Sequence, residues 1–328
     1  MKTSDKIIKY ITKNGQVAGS ELVDYLGITG RAIRKQLKNL ESSGRVQKSG
    51  KPPKVYYSIN NSEDSNKVEL QETVQVSQLV KQIVEDNFLF VTPRGTIQDG
   101  WKGFVYWCNE RKLPPSKTAV QYQKIMRQYG RYKKDGLIDG MYKLKTSFDD
   151  VALDKIFYVD FYSTEIFGKT KLGQLLLFAK QSQDRKLIND IADRIKPNIL
   201  ELLKKYEIDG VGFIPPTVKR ELQLVRHIQK RLNLDKRILS ISKIKTPVVV
   251  PQKTLSKLSD RIENARETII VSSTGSYSNI LLIDDAVGSG ATLNETAKKI
   301  RAKGICSGKI IGLAITGSFK GFEVISEV

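Results

Sequence analysis

Apolar residues recur at helical spacing in three short stretches at the start of the chain. The pattern predicts one helix from Lys2 to Lys13, a second capped at Ser20 and ended by Gly27, and a third capped at Thr29 and stopped by Gly44. The β-rich stretch that follows predicts a two-stranded hairpin with strands at Arg45 to Lys48 and Val55 to Ile59. Three short helices followed by a hairpin are typical of a winged helix-turn-helix, which we assign to residues 1–60.

The composition changes twice in the next part of the chain. Residues 61–86 contain six acids against two lysines and open with a Ser/Asn/Asp/Glu cluster, which predicts a linker leading into a short helix. Residues 87–148 contain twelve bases against four acids. Their apolar spacing predicts helices over Gln98 to Arg111 and Ser116 to Tyr132, and a strand pair over Leu137 to Leu144.

Two interpretations of this basic helical region are open. As a second helix-turn-helix-like unit, it would contact phosphates with its bases and stack its aromatic rings on nucleobases. As a helical spacer, it would pack the same tyrosines inward. Both interpretations concern Tyr122, Arg127, Tyr129, Arg131, Tyr132, Lys133 and Lys134.

From residue 149 onward, short apolar strands alternate with amphipathic helices. Strands are predicted at Ile156 to Phe161, Gly210 to Ile214, Thr268 to Ser272, Ile280 to Ile283 and Lys309 to Thr316. Helices are predicted at Leu172 to Ala179, Lys186 to Tyr206, Val218 to Leu232 and Leu293 to Lys303. The alternation predicts an α/β domain over residues 149–328, built on a doubly wound, mainly parallel sheet.

The net positive charge of the chain indicates the kind of partner that it binds. The 55 Lys and Arg residues outnumber the 35 Asp and Glu residues, and residues 1–60 alone hold twelve bases against four acids. Such an excess attracts polyanions, and on a winged helix-turn-helix it indicates DNA as the partner. The candidate DNA-binding residues lie on the third helix and the hairpin, and they are Arg31, Arg34, Lys35, Lys38, Lys48 and Lys51.

Several absences narrow the class of protein further. No run of about 18 apolar residues is present, so we expect a cytoplasmic protein without a membrane partner. Cys108 and Cys306 lack the neighbours that a zinc site or a disulfide framework needs, so we expect reduced, core-packed thiols and no protein-bound metal. The single histidine, His227, is expected to face solvent rather than to act as a base.

The strongest candidate for a ligand-binding segment follows the apolar run that starts at Ile280. Two acids, Asp284 and Asp285, precede a loop of small residues and a predicted helix start. Glycines let the backbone approach an anion closely, hydroxyl groups add donors, and a helix start presents free N–H groups. Carboxylates accept hydrogen bonds from vicinal hydroxyls, so the spacing suits a ribose 5-phosphate.

This stretch resembles the PRPP-binding motif of the type I phosphoribosyltransferases, in which a hydrophobic strand leads to Asp-Asp and a Thr-Thr-Gly-x-Thr loop. The resemblance implies that Asp284 and Asp285 hold the ribose hydroxyls. It also implies a loop around the 5′-phosphate, formed by Val287, Gly288, Ser289, Gly290, Ala291 and Thr292. Gly288 and Ser289 stand where the family has two threonines.

Gly210 to Leu232 contains Pro215-Pro216 followed by Lys219-Arg220, and further on stand Gln252-x-x-Leu255-Ser256 and Arg261-x-x-Asn264. With these elements, residues 150–328 resemble the ComF-type branch of that family. The resemblance implies a pyrophosphate loop with Thr217, Lys219 and Arg220, and a flexible closing loop from Thr246 to Arg266 that includes Arg261. It implies Mg²⁺ as an ion that arrives with the diphosphate of PRPP. The family's zinc module and its Arg-Gly-Phe-Asn run are both missing, so we assign no catalytic residue.

Two functions from different classes follow. The first is a DNA-binding transcription regulator or DNA-handling factor, whose second domain binds PRPP or a related ribose phosphate and would also support a homodimer. Its architecture is similar to that of the purine-repressor family. The second is an active phosphoribosyltransferase that transfers the ribosyl phosphate of PRPP to a nitrogen nucleophile, with the winged helix as a targeting device. A winged helix used for protein contact, with an inactive transferase behind it, is a third interpretation.

Overall fold

The computed structural model describes residues 2–60, 75–218, 220–244, 247–248 and 250–318. It divides the chain into two compact units, Met1–Val74 and Gln75–Val328. Each unit has its own apolar core.

The first unit contains the three predicted helices and the predicted hairpin. Its elements are α1 (Thr3–Asn14), β1 (Val17–Ala18), α2 (Gly19–Leu26), α3 (Gly30–Ser42), β2 (Val46–Lys51) and β3 (Lys54–Ile59). The three strands form an antiparallel sheet in the order β1-β3-β2. Its core consists of Ile7, Ile11, Val17, Leu22, Ile33, Leu37, Leu40 and Val46.

The observed helix caps of this unit match the prediction at Thr29 and differ from it at Ser20. The Thr29 Oγ1 accepts a hydrogen bond from the Ala32 N–H at 3.3 Å, so α3 begins as predicted. Ser20, however, lies inside α2. The helix is capped two residues earlier, at Ala18, where the Glu21 carboxylate turns back to accept the Ala18 N–H at 2.8 Å.

The second unit opens with the end of the predicted linker, of which residues 61–74 lie outside the described residues, and with the basic helical region. Its elements there are α4 (Gln78–Asn87), β4 (Leu89–Val91), β5 (Ile97–Asp99), α5 (Gly100–Glu110), α6 (Pro115–Gly130), β6 (Lys133–Lys134), β7 (Leu137–Asp139) and α7 (Met141–Ser147). The first helices pack around an aromatic cluster that includes Phe88, Phe104, Trp107 and Tyr122. Cys108 is buried in the same cluster, and burial raises the pKa of its thiol to about 12, as suits an inert core residue.

The rest of the unit alternates strands with helices. The elements are β8 (Lys155–Phe161), β9 (Ser163–Thr164), β10 (Gly168–Lys169), α8 (Lys171–Ser182), α9 (Arg185–Lys205), β11 (Gly210–Phe213), α10 (Leu224–Leu232), β12 (Arg237–Leu239), β13 (Ile241–Lys243), α11 (Leu258–Thr268), β14 (Ile269–Val271), β15 (Ile280–Val287), α12 (Ala291–Ala302) and β16 (Ile310–Gly317). The helix predicted from Val218 begins only at Leu224. Before it, the backbone forms a loop in which the Leu222 N–H donates to the Gln183 side chain at 2.8 Å.

A seven-stranded sheet organises the second unit. Its order is β12-β11-β15-β16-β8-β7-β6, with the first five strands parallel and the last two antiparallel. Alternate residues of β16 enter two different apolar clusters: Ile311 and Leu313 belong to the cluster that includes residues of α8 and α9, whereas Ile310 and Ala314 belong to the cluster that includes residues of α12. Helices therefore cover both faces, as the predicted α/β fold requires.

The boundary that we placed before residue 149 does not separate two compact units. Ile138 of β7 pairs with Tyr158 of β8, so the basic region completes the sheet of the second unit. The predicted strand pair is half right, because Leu137–Asp139 is a strand and Met141–Ser147 is a helix. That helix starts where the Asp139 carboxylate accepts the Met141 N–H at 2.7 Å.

Two of the three tyrosines of this region pack inward, as the spacer interpretation predicted for all three. Tyr122 and Tyr129 are buried, whereas Tyr132 is 48% exposed and lies edge-on against Phe161. Arg127 and Arg131 are exposed. Base stacking on Tyr122 and Tyr129 is therefore ruled out by burial.

Candidate functional site

The third helix of the first unit presents one apolar and one basic face. Arg31, Arg34, Lys35 and Lys38 are all exposed, while Ile33, Leu37 and Leu40 on the same helix are buried. The turn before α3 is tight because Gly27 takes a left-handed conformation at φ +64°. Lys48 is exposed on β2; Lys51 belongs to the same strand, and its side chain lies outside the described residues.

The second candidate site lies at the carboxyl edge of the parallel strands. The loops that follow β11 and β15 both leave the sheet at this edge, because these two strands run in the same direction. In open α/β sheets, ligands bind outside the carboxyl ends of the strands. The sheet thereby brings the predicted pyrophosphate loop and the predicted PRPP motif together.

The loop from Val287 to Gly290 joins β15 to α12 as predicted. Gly290 precedes the helix at φ +89°, and a Cβ atom there would lie 2.6 Å from the Leu144 Cδ1. The Ser289 hydroxyl is buried and accepts the Ala291 N–H at 3.3 Å. Ala291 is buried at the helix start, whereas Gly288 and Thr292 are half-buried. The backbone conformation at position 290 favours glycine, and any side chain there would also displace the end of the Leu144 side chain.

The two carboxylates at the end of β15 each lie near a lysine from a different element. The Lys180 Nζ on α8 is 2.8 Å from Asp285 Oδ1. Lys243 on β13 is partly buried and close enough for its charge to act on Asp284. Burial, and then the charge of Asp285, nevertheless raise the pKa of Asp284 to about 7.

The same two lysines connect these acids to the predicted pyrophosphate loop. The Lys243 Nζ donates to Thr217 Oγ1 at 2.8 Å. The Arg220 guanidinium donates to the backbone carbonyl of Lys180. Lys219 lies outside the described residues. Neither lysine was singled out from the sequence, since an isolated lysine in a helix or an edge strand carries no motif.

Arg261, which we predicted to lie in a flexible loop, lies instead on a helix. It lies on α11, is buried, and donates its Nε–H to the Leu255 carbonyl at 2.7 Å. The Gln252 amide donates to the Arg261 carbonyl and to Asn264 Oδ1, so these hydrogen bonds tie the chain before α11 to that helix. The segment is thus partly helical and well hydrogen-bonded over its second half.

His227 is half-buried rather than fully exposed, and its Nε2 lies 3.0 Å from Asn189 Oδ1. Burial, with neighbouring cations, lowers the pKa of its imidazole.

Among the residues that the structure describes, no group of three His, Cys, Asp or Glu side chains is arranged to hold a metal ion. Within the same part of the chain, no helix combines the length and apolar character needed to cross a membrane.

The raised pKa of Asp284 has a measurable consequence for stability. Between pH 4 and pH 7 the unfolded chain loses the Asp284 proton while the folded unit keeps it, so stability falls as pH rises. We expect Asp284→Asn to remove this loss, making the variant more stable than the parent by roughly 1 to 3 kcal/mol at pH 8 and nearly equal at pH 4.

Tryptophan fluorescence in urea measures this difference, because both tryptophans, Trp101 and Trp107, belong to the second unit. Asp235→Asn, at an exposed aspartate of the same unit, serves as the control. An equal stability difference between Asp284→Asn and the parent at both pH values would contradict the prediction.

The fold and its sites define a protein of two parts: a winged helix-turn-helix, and an α/β unit with a glycine loop and two acids at the carboxyl edge of its sheet. Residues 4–49 match the family model described as a DeoR-like helix-turn-helix domain. No curated protein sequence matches the chain. Among solved structures, the chain is similar to adenine phosphoribosyltransferase from Leishmania tarentolae, at 14% identity and a TM-score of 0.28, over 53% of this chain and 96% of that one.

Proposed function

We propose that the protein is a DNA-binding regulator whose second unit binds PRPP or a related ribose phosphate. The observation that carries the proposal is the pairing of an exposed basic helix on a DeoR-like helix-turn-helix with an Asp-Asp and glycine loop at a sheet's carboxyl edge. In this proposal DNA is bound through α3, and the ribose phosphate acts as the regulating ligand.

The ligand assignment rests on matching donors to acceptors. Asp284 and Asp285 would accept hydrogen bonds from the ribose hydroxyls, and the N–H groups of the loop and of α12 would hold the 5′-phosphate. Arg220 and Lys243 would supply cations, and Thr217 a hydroxyl, to the diphosphate; the hydrogen bond of Lys243 to Thr217 and that of Arg220 to the Lys180 carbonyl support this assignment. Mg²⁺ would enter with that diphosphate and keep water and phosphate oxygens as its other ligands. In this proposal the second unit is a phosphoribosyltransferase-like domain of the ComF type.

A second candidate function is transfer of the ribosyl phosphate to a nitrogen nucleophile. The observation that favours it is the link from both acids, through Lys180 and Lys243, to the segment proposed to hold pyrophosphate. Release of pyrophosphate from PRPP in the presence of candidate bases would distinguish an enzyme from a sensor. A sensor binds PRPP without releasing pyrophosphate.

Regulation requires that the two ligands affect each other's binding. If PRPP favours the DNA-binding state or opposes it, DNA must change the affinity for PRPP by the same factor. We expect saturating PRPP with Mg²⁺ to change the DNA affinity by about 5-fold or more, which corresponds to about 1 kcal/mol of coupling. Fluorescence anisotropy of a labelled duplex at constant ionic strength measures the change, because the charge of PRPP itself screens DNA binding.

Two controls make this experiment decisive. Sodium chloride added in place of PRPP, to equal ionic strength, reports the effect of added charge alone. The Asp284→Asn, Asp285→Asn double variant should lose the PRPP effect while still binding DNA. Unchanged DNA affinity, with PRPP binding verified in the same sample, would reject regulation and favour an enzyme carried on a DNA-binding domain.

A further inference from the structure

The order of elements in the first unit recurs at the start of the second. In the first unit a helix is followed by a short strand, by α2 and α3, and by the β2-β3 hairpin. In the second unit α4 is followed by the β4-β5 pair, by α5 and α6, and by the β6-β7 hairpin. Residues 111–114 connect α5 to α6, a length typical of the turn in a helix-turn-helix. The hairpins differ, because β7 also pairs with β8 of the large sheet.

Helix α6 packs one face into the apolar core of this region. Its Ala119 and Tyr122 lie in one buried cluster with Val84 of α4 and Phe104 of α5. The apolar side of α6 is therefore used within the fold, as the apolar side of α3 is in the first unit. The opposite side of α6 remains in contact with solvent.

The outer face of α6 is basic. Four exposed bases lie on the helix or directly after it: Lys117, Lys124, Arg127 and Arg131. At 3.6 residues per turn, this spacing places the four side chains within about a quarter of the helix circumference and along about 20 Å of its length. The helix itself contains no Asp or Glu. Positive charge therefore forms a continuous stripe along it.

The acids nearest to α6 in the sequence do not neutralise this stripe. Asp135 lies 3.5 Å from the Lys205 Nζ, and Asp139 lies 3.7 Å from the Lys155 Nζ, so both acids pair with lysines of other elements. None of the four bases of the stripe is in an ion pair with a residue that the structure describes. The stripe therefore lacks a counter-charge within the described part of the chain.

A duplex nucleic acid is the polyanion that best fits this stripe. A helix is about 10 to 12 Å in diameter and the major groove of DNA is about 12 Å wide, so bases along one side of a helix can contact successive phosphates. An anionic membrane fits less well, because a helix that binds a membrane surface inserts an apolar face. In α6, which the structure describes in full, Val120 is the only large apolar residue that is exposed.

We infer that the outer face of α6 is a second DNA-contacting surface, at which the four bases of the stripe bind phosphates of a duplex. The inference rests on the proposed function and extends DNA contact from α3 to the second unit. Each ammonium or guanidinium group donates a charge-assisted hydrogen bond to a phosphate oxygen. Phosphate contacts carry no information on base sequence, so this surface adds affinity and leaves sequence preference to the first unit.

Replacing all four bases of the stripe with glutamine tests the inference in the full chain. Glutamine is a good helix former, so α6 should stay helical. We expect duplex DNA to bind at least about 10-fold more weakly at about 0.1 M salt, with a slope of log K against log salt concentration smaller by about 2 to 4. The loss should be the same for duplexes of different sequence. Anisotropy titrations with two unrelated duplexes measure these quantities.

The matched control removes two arginines and two lysines from other helices of the same unit. These residues are exposed on α9 and α10, and they are Arg185, Lys186, Lys204 and Arg226. Their glutamine variant has the same net charge as the stripe variant and should bind DNA nearly as the parent does. Fluorescence of Trp101 and Trp107, which lie on α5 in the same aromatic cluster, verifies that α6 remains packed.

A second pair of variants divides the stripe. Replacing only Lys117 and Lys124, or only Arg127 and Arg131, should each produce about half of the change in salt slope, because each removes two phosphate contacts. These double variants decide the outcome if the quadruple variant is not folded. The stripe substitutions are also combined with alanine at Arg31, Arg34, Lys35 and Lys38, where the remaining DNA affinity should fall by a similar factor.

The outcomes separate this inference from the proposed function. Parent protein that binds DNA, with unchanged affinity and salt slope in the folded stripe variants, overturns the second surface and leaves α3 as the proposed contact. Equal losses in the stripe variant and the matched control also overturn it, because the effect would then be one of general charge. Loss of binding to phosphatidylserine vesicles with unchanged DNA affinity would assign the stripe to a membrane. Parent protein that binds no duplex DNA overturns the proposed function and this inference together.

Discussion

Replacing Arg31, Arg34, Lys35 and Lys38 together with alanine should weaken duplex DNA binding by at least about 10-fold at 0.1 M salt. It should also reduce the slope of log K against log salt concentration by about 2 to 4, because each lost phosphate contact removes about 0.9 from that slope. All four side chains are exposed and leave the apolar face of α3 untouched, so the domain should stay folded. Anisotropy titrations from 50 to 300 mM salt measure both quantities.

The matched control removes four charges from another helix of the same unit. Lys2, Lys6, Lys9 and Lys13 are exposed on or next to α1. Their alanine variant changes net charge by the same amount, so it reports the effect of general charge on DNA binding. A quadruple α3 variant that keeps the parent's affinity and salt slope would place the DNA-binding face elsewhere.

Replacing Asp284 and Asp285 together with asparagine should lower the affinity for PRPP by at least about 100-fold. Each charge-assisted hydrogen bond to a ribose hydroxyl is worth roughly 1.5 to 3 kcal/mol, and two are weakened at once. The substitution has an opposite effect on phosphates, because it removes two negative charges and frees Lys180 from its ion pair with Asp285. Pyrophosphate, which has no hydroxyls, should therefore bind the variant as tightly as the parent or more tightly.

This divergence between two ligands is the distinctive result, and calorimetry with PRPP and with pyrophosphate measures it. Another adjacent pair of acids, Asp149 and Asp150, is exposed in the same unit and provides the matched asparagine control. If PRPP and pyrophosphate both lose affinity to the same extent in the Asp284, Asp285 variant, the acids act through the fold. If PRPP affinity is unchanged, they do not hold the ribose.

Both predictions concern residues that local patterns had already singled out. The α3 helix is amphipathic, with buried Ile33 and Leu37 at a spacing of four, so the basic side chains between them must point outward. The Asp284-Asp285 pair follows an apolar run and precedes Gly288 and Gly290, which specifies a strand, a tight loop and a helix start. In each case residues within one helical turn or one loop carry the information, and local sterics and hydrogen bonding are sufficient to express it.

The sequence by itself thus determined the winged helix-turn-helix, the alternating strands and helices, and the motif at the end of β15. Only the tertiary structure decided the rest. The basic region joined the sheet because Ile138 and Tyr158 pair across twenty residues, and Lys180 and Lys243 reached the two acids from separate elements. Such contacts depend on strand order and helix packing, which are set by burial over the whole unit; the spacing of neighbouring residues contains no record of them.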